Sequence, residues 1–198
     1  METRSNPKEG KLLYHLTTMD NIKNIIEKGL LPRSELTKRS ETFKDTANSE
    51  ILSRRKEQSL DEYVPFHFFV KNPYDGRQFR DHPDIKFVYI TITREFLKTN
   101  NGVIIPKHPL SEANHTLETM PYSHGFDAID WDLVAKRDYL DQECKRACMC
   151  EALHKGVVPS ENFNSIVVKT KEDYNLIDQL IKQFSLKCHL NQNEKWFI

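Results

Sequence analysis

Apolar positions along the chain fall into alternating runs and helical runs, separated by long polar stretches. Lys11–Thr17, KLLYHLT, reads as a first strand, with Leu12, Tyr14 and Leu16 alternating with Leu13 and His15. Asp20 stands as an N-cap before NIKNIIEKG, where Ile22, Ile25 and Ile26 share one helical face and Gly29 ends the helix. Arg33 to Asp45 is polar and reads as a long loop after a frayed leader and this first unit. Thr46–Gln58 is a predicted helix, with Ala47, Ile51 and Leu52 inward and Arg54, Arg55 and Lys56 as a basic end. Tyr63–Val70, YVPFHFFV, is a predicted strand in which Pro65 argues for an edge position or a bulge.

KNPYDGRQFRDHPD reads as a loop, KFVYITIT as a strand, REFLKTN as a short helix and GVIIP as a short strand. His108 to Gly125 is polar, irregular or partly helical, and WDLVAKRDYL is helical. Arg146–Gly156, RACMCEALHKG, alternates as a half-buried strand with Met149, Glu151 and Leu153 on one side. Another strand is expected at Phe163–Thr170. An amphipathic helix follows over Glu172–Ser185, with Leu176, Ile177, Leu180, Ile181 and Phe184 on one side. KCHL and KWFI read as terminal strand pieces. Strands and helices mix without regular alternation, so the expected class is α+β with antiparallel-rich sheets and flanking helices, in a single domain over residues 1–198.

Composition narrows the function classes. Lys plus Arg and Asp plus Glu both number 29, so the net charge is zero and any nucleic-acid contact has to come from a local basic patch. Mean hydropathy is −0.65 and no apolar run approaches membrane-spanning length. The start, METRSNPKEGK, has no apolar core of a signal peptide, which points to the cytoplasm. There the four cysteines are expected as reduced thiols. Cys144, Cys148, Cys150 and His154 fit no standard zinc spacing, and no metal is expected. Only six glycines occur, none in a GxGxxG or Walker pattern, which argues against Rossmann and P-loop enzymes.

Glu151 carries the candidate chemistry. A carboxylate at a core-side strand position costs several kcal/mol unless it is paired or used. On the strand pattern alone the better reading is an edge-strand glutamate facing water. Three stretches, taken together, shift that balance. They are Tyr14-His15-Leu16-Thr17 with Met19-Asp20-Asn21-Ile22 and Gly29-Leu30-Leu31; Ala47 to Arg55 followed by Asp61 to Phe66; and the strand with Glu151. In that order and spacing the chain resembles DarT, the DNA ADP-ribosyltransferase toxins of DarTG toxin–antitoxin systems, from about Leu13 to Thr170.

The resemblance implies an ADP-ribosyltransferase-like fold and NAD as co-substrate. It implies Glu151 as the catalytic acid and Arg55 as the second essential residue, near the NAD phosphate and the target base. His15 and Thr17, with the Leu16 backbone, would hold the nicotinamide-ribose side. Asn21 and Asn24 would line the NAD site, and the 33–44 loop would close over it with Lys44 at the pyrophosphate. The region from about His108 to Cys150 would recognise the substrate. His67 stands where the family commonly has Tyr, and Met149-Cys150 where it often has Gln-Ala.

Read as chemistry, a carboxylate beside the ribose stabilises an oxocarbenium-like transition state, and His15 offers a donor to a ribose hydroxyl or is a core histidine satisfied by backbone. Arg55 stays protonated and suits phosphate binding and stabilising a base anion. Tyr63, Phe66 and His67 are stacking candidates, or plain core in at least one case. Phe43, Arg54, Lys56, Arg77 and Arg80 are candidates for single-stranded nucleic acid. The leading substrate is thymidine in single-stranded DNA, with guanosine or an RNA base as the alternative. A catalytically silent nucleic-acid-binding module is the non-enzyme reading, and RNA 2′-phosphotransfer a related one that has no use for Glu151. A cognate antitoxin, with a macrodomain ADP-ribosyl hydrolase as the type, and a monomeric state complete the expectation.

Overall fold

Two neighbouring strands in the middle of the sheet pair at a single point, and a proline lies beside that seam. The computed structural model describes residues 6–41, 43, 44, 46, 49–107 and 117–197, without the side chains of 49–51 and 54. In chain order the elements are β1 (Leu12–Thr18), α1 (Ile22–Lys28), α2 (Arg33–Lys38), α3 (Ser49–Glu57), β2 (Tyr63–His67), α4 (Pro73–Asp81), β3 (Phe87–Thr93), α5 (Arg94–Thr99) and β4 (Val103–Ile105). They continue with β5 (Met120–Pro121), α6 (Tyr122–Ala128), α7 (Trp131–Lys136), α8 (Gln142–Ala147), β6 (Glu151–Lys155), β7 (Ser165–Val168), α9 (Lys171–Gln183) and β8 (His189–Gln192). The described strands form one eight-stranded sheet in the order β5-β4-β6-β2-β1-β3-β7-β8. Every neighbouring pair is antiparallel except β7 with β8.

β1 pairs with β3 along its whole length, from Leu12 opposite Thr93 to Thr18 opposite Phe87. It pairs with β2 only at Tyr14 opposite His67. The sheet is thus two four-stranded halves joined by a single bridge. Pro65 was expected on an edge or at a bulge; β2 is not an edge strand but lies between β6 and β1. The reason it is tolerated lies in the direction of its backbone groups. In an antiparallel ladder the N–H and C=O of one residue point the same way. The Pro65 carbonyl accepts from His15 Nδ1 of β1 at 2.8 Å, so its missing donor also faces the seam, where no ladder is built.

The main core lies on one face of the sheet. Leu13, Ile90, Ile92, Val64, Phe66 and Ile166 pack there against Ile22 and Ile26 of α1, Leu97 of α5, Trp131 and Val134 of α7 and Ile177 of α9. On the other face Leu16, Tyr89, Val167 and Phe197 form a second cluster, and Leu60, Ile105 and Leu153 a third.

Several expected elements differ. The 33–45 loop contains α2, held by ion pairs of Lys38 and Arg39 with Glu35 rather than by an apolar face. The 71–84 loop contains α4, started by Pro73 and a capping box between Asn72 and Asp75. Asp20 does not cap α1; Asn21 occupies that position without a side-chain cap bond, and Asp20 pairs with Lys44. The strand expected from Arg146 starts only at Glu151, because Asp141 caps α8 and the helix runs through Ala147. Met149 is therefore not a strand neighbour of Glu151. KWFI forms a 3-10 turn at Glu194–Phe197, not a strand. Ala47 and the Ile51 side chain lie outside the described residues.

Residues 6–10, expected as part of a frayed leader, are tied down by one buried cation. Arg94 is 9% exposed. Its guanidinium donates to the carbonyls of Pro7 (2.5 Å), Lys8 (2.8 Å), Leu12 (3.3 Å) and Phe68 (3.5 Å) and lies over the rings of Phe68, Phe126 and Trp131. Burial lowers its pKa from the ordinary arginine value, and these carbonyls and ring faces compensate the desolvated charge. Replacing Arg94 by Met strands those carbonyls. We expect a loss of about 3 kcal/mol or more in urea unfolding. Arg94→Lys recovers less than half of it, since an ammonium cannot span four acceptors in a plane.

Candidate active site at the head of strand β6

Glu151 is the first residue of β6, flanked by His67 of β2 and Ile105 of β4. It is 6% exposed. Arg55 reaches it from α3, donating from Nη1 to Glu151 Oε2 at 2.8 Å. Glu151 shares a face with Leu153, as the alternation predicted, while Cys150 and Ala152 point into the main core. Two buried opposite charges offset each other's desolvation only with good geometry, and such a pair often adds little net stability. The Arg55 Nη2 is itself buried and has no partner among the described residues. A buried unmet donor costs about 1–3 kcal/mol, which makes this nitrogen a place for an acceptor from a ligand.

His67 stands directly across from Glu151 on the neighbouring strand. Its Nδ1 lies 3.3 Å from the Cys150 carbonyl, and its ring stacks on Tyr74 of α4 with centroids 5.6 Å apart. Across the seam, His15 is half-buried, with its ring 5.7 Å from that of Phe66. Burial, followed by the nearby His67, lowers its pKa to about 4, against the opposing effect of the Pro65 bond. The imidazole is therefore neutral at physiological pH. A carbonyl can only accept, so Nδ1 carries the proton and Nε2 is an acceptor. This reverses the donor role expected for His15: it can accept from a ribose hydroxyl.

Further along the seam, Asn21 Oδ1 accepts from the Lys44 backbone N–H at 2.8 Å. Its Nδ2 donates to the Lys44 carbonyl at 3.0 Å and to Thr17 Oγ1 at 3.4 Å. The Asn21 side chain thus clamps the segment leading to α3 onto the end of β1. The Lys44 Nζ pairs with Asp20 at 2.9 Å in an exposed position. Arg33 lies over the Phe43 ring at 5.3 Å.

The other candidates sort by exposure. Phe66 is wholly buried in the main core and Leu16 in the second, so neither side chain offers a surface. Tyr63 is half-buried beneath the Lys155 ammonium. Asn24 and Lys56 are exposed on α1 and α3. Arg77 and Arg80 are exposed on α4 and both pair with Asp81. The Arg54 side chain and residues 108–116 of the expected substrate-recognising region lie outside the described residues.

Cys144, Cys148 and Cys150 are buried thiols, and burial pushes Cys148 up to about 12 and Cys150 up as well. That makes them packing groups rather than nucleophiles. Tyr74 and Asp75 were missed from sequence because Asn72-Pro-Tyr-Asp was read as a loop; its capping-box spacing was the available signal.

Comparison with known proteins gives the arrangement a family. A family model described as "ssDNA thymidine ADP-ribosyltransferase, DarT" matches residues 14–198. No curated protein was found to match the chain by sequence. Among solved structures, the fold is similar to that of Thermus sp. 2.9 DarT in complex with ADP-ribosylated ssDNA. That match has a TM-score of 0.80 and 18% identity, over 99% of this chain and 100% of the other. It is also similar to the same organism's DarT in complex with NAD+, with TM-score 0.76 and 16% identity over 96% and 98% of the two chains. A third similar structure is Thermosipho africanus DarTG in complex with ADP-ribose, with TM-score 0.76 and 21% identity over 95% of this chain and 51% of that one. The sheet of eight strands with flanking helices is the ADP-ribosyltransferase fold that those structures share. With nearly its whole length matched, the chain belongs to the DarT family of NAD-dependent single-stranded DNA thymidine ADP-ribosyltransferases.

Proposed function

We propose that this chain transfers ADP-ribose from NAD to thymidine in single-stranded DNA, with Glu151 and Arg55 as its catalytic pair. The observation that carries the reading is the buried contact of Arg55 Nη1 with Glu151 Oε2 beside an unmet Arg55 Nη2. A structural ion pair has no need of an empty, buried donor.

The chemistry breaks the bond from the ribose anomeric carbon to nicotinamide and forms one from that carbon to a ring nitrogen of thymine. In a nucleotide N1 is already glycosylated, so N3 is the nitrogen available, and its proton passes to the Glu151 carboxylate or to water as nicotinamide leaves. Glu151 supplies negative charge next to the sugar as the anomeric carbon becomes cationic, in the manner of glycosidase carboxylates. Arg55 stays a cation throughout. Its Nη2 fits a carbonyl oxygen of the base, where charge builds as the N3 proton leaves, or a phosphate oxygen of the dinucleotide. His15 Nε2 accepts from a ribose hydroxyl. Thr17 and the Asn21-clamped segment with Lys44 line the far end of the seam, with Asn24 at its rim, and Tyr63 and His67 border the pocket.

The base must leave any stack to reach Glu151, which is why a single strand is the substrate. With zero net charge, attraction to DNA comes from local cations, with Arg54, Lys56, Arg77 and Arg80 as candidates. The wider setting is a toxin acting in the cytoplasm and countered by an antitoxin that removes ADP-ribose. Among the described residues no helix is long and apolar enough to cross a membrane.

Mass spectrometry of short oligonucleotides incubated with NAD tests the reading. One ADP-ribose should appear on thymidine-containing single strands and none on duplexes; modification of guanosine or RNA alone would overturn the substrate. Glu151→Gln keeps an acceptor for Arg55 and should lower turnover about hundredfold or more while NAD still binds. Near-normal transfer by that variant would overturn the catalytic pair.

Adjacent positions on a helix are about 100° apart, so positions 54 and 55 do not share a face. Arg55→Ala should therefore lose nearly all transfer and Arg54→Ala should keep most. Arg55→Lys should rescue poorly, because a point charge cannot hold two acceptors in one plane. Equal losses from both alanine variants, with folding intact by circular dichroism, would remove the basis for choosing Arg55.

A further inference from the structure

Asp75 is buried on the first turn of α4, and its two oxygens are treated very differently. Oδ2 accepts from the Tyr89 hydroxyl at 2.8 Å, from Asn72 Nδ2 at 3.0 Å and from the Asn72 backbone N–H at 3.4 Å. Oδ1 is equally buried and has no partner among the described residues. One turn further along the same helix, Gln78 is in the same condition. Its Nε2 donates to the Thr46 carbonyl at 3.4 Å, while Oε1 is buried and has no partner among the described residues. The amide cannot be turned round to help, because a carbonyl at Thr46 requires the nitrogen there. Residues three apart on a helix are surface neighbours. Two orphaned acceptors at that spacing are repulsive if both are bare oxygen, and one proton satisfies both.

We infer that Asp75 is a protonated carboxylic acid whose Oδ1–H is given to Gln78 Oε1, and that it acts as a positioning residue for the active site. The inference rests on the reading of Glu151 and Arg55 as the catalytic pair. Its route to them is short on both sides. Tyr74, the neighbour of Asp75, carries the ring that stacks on His67, across from Glu151. Gln78 holds the Thr46 carbonyl, three residues before the start of the helix that carries Arg55. Ionising Asp75 sets a carboxylate against the Gln78 carbonyl oxygen, turns Gln78 away and releases Thr46.

The groups facing Asp75 are the Tyr89 hydroxyl from β3, the Asn72 amide and the Lys71 backbone N–H, with the Tyr139 hydroxyl bound to the Lys71 carbonyl nearby. Burial raises the Asp75 pKa to about 7, against the lowering effect of the Tyr89 and Asn72 bonds and of the nearby Lys71 backbone N–H. The sign follows from linkage. The folded state holds the Asp75 proton more tightly than the unfolded chain, so this group's contribution to stability is complete below the ordinary value of 3.8 and is lost as pH rises to about 7.

The test uses the whole chain and Asp75→Asn, whose amide donates permanently to Gln78 Oε1. Carboxyl carbon NMR of the wild-type protein should show Asp75 titrating near neutrality. Melting temperature should fall between pH 5 and about 7.5 in the wild type, and that slope should flatten in Asp75→Asn. Transfer to single-stranded DNA by Asp75→Asn should stay within about twofold of wild type at pH 6 and exceed it severalfold at pH 8.5. Asp75→Leu, which gives Gln78 no donor, should lose transfer at both pH values. An Asp75 carboxyl ionised throughout pH 5–9 would overturn the proton itself, whatever the protein's substrate. A shared proton with wild-type and Asp75→Asn rate profiles that run parallel would overturn the positioning role while leaving the catalytic pair untouched.

Discussion

The structure depends on a sheet that is left unzipped in its middle. β1 and β2 meet at Tyr14 and His67 and nowhere else in register, although each is fully laddered to its other neighbour. Unpaired strand edges inside a protein are costly, because each N–H and C=O must find a partner. Pro65 removes one donor from the problem, and His15 supplies the partner for its carbonyl. That bond fixes the tautomer of His15 and its neutral state. The sheet defect and the histidine that fills it are therefore one feature, one strand away from Glu151 on β6.

The buried ion pair sits beside this seam. Glu151 is placed by two neighbouring strands, so its backbone has almost no freedom. Arg55 comes from a short helix whose preceding segment is held by side-chain to backbone bonds, from Asn21 to Lys44 and from Gln78 to Thr46. The rigid partner carries the negative charge and the adjustable one carries the donors. Such a division suits a site where the sugar must meet a fixed carboxylate while an incoming base is accommodated by the arginine. Arg55 Nη2 is buried without a partner among the described residues, a cost that the folded state bears.

α4 adds a second layer of support. It covers the face of the sheet on which Glu151 and His67 lie, through Tyr74 against His67 and Asp75 against Tyr89. These polar contacts stand beside an aromatic one, Phe79 against Phe87 and Phe197, whereas the opposite face is packed largely by isoleucine, valine and leucine.

The sequence by itself determined most of the strands and the family. Alternation marked β1 and the helical repeat of leucine and isoleucine marked α9, because burial of one face imposes a period on apolar residues, while β3 and β7, buried on both faces, showed as short runs rich in valine and isoleucine. The quoted stretches around His15, Arg55 and Glu151 carried the likeness to DarT. Polar helices were not legible: α2 and α4 are held by ion pairs and a capping box, which leave no apolar period. The start of β6 was misplaced because a capped helix and a strand adjoin within one apolar run. Only the tertiary structure decided that Pro65 is central, that His15 Nδ1 is taken up by the Pro65 carbonyl, and that Arg55 meets Glu151 across 96 residues of chain. Each of these depends on which backbone group faces which neighbour, and that is set by long-range strand pairing, which no local pattern of residues encodes.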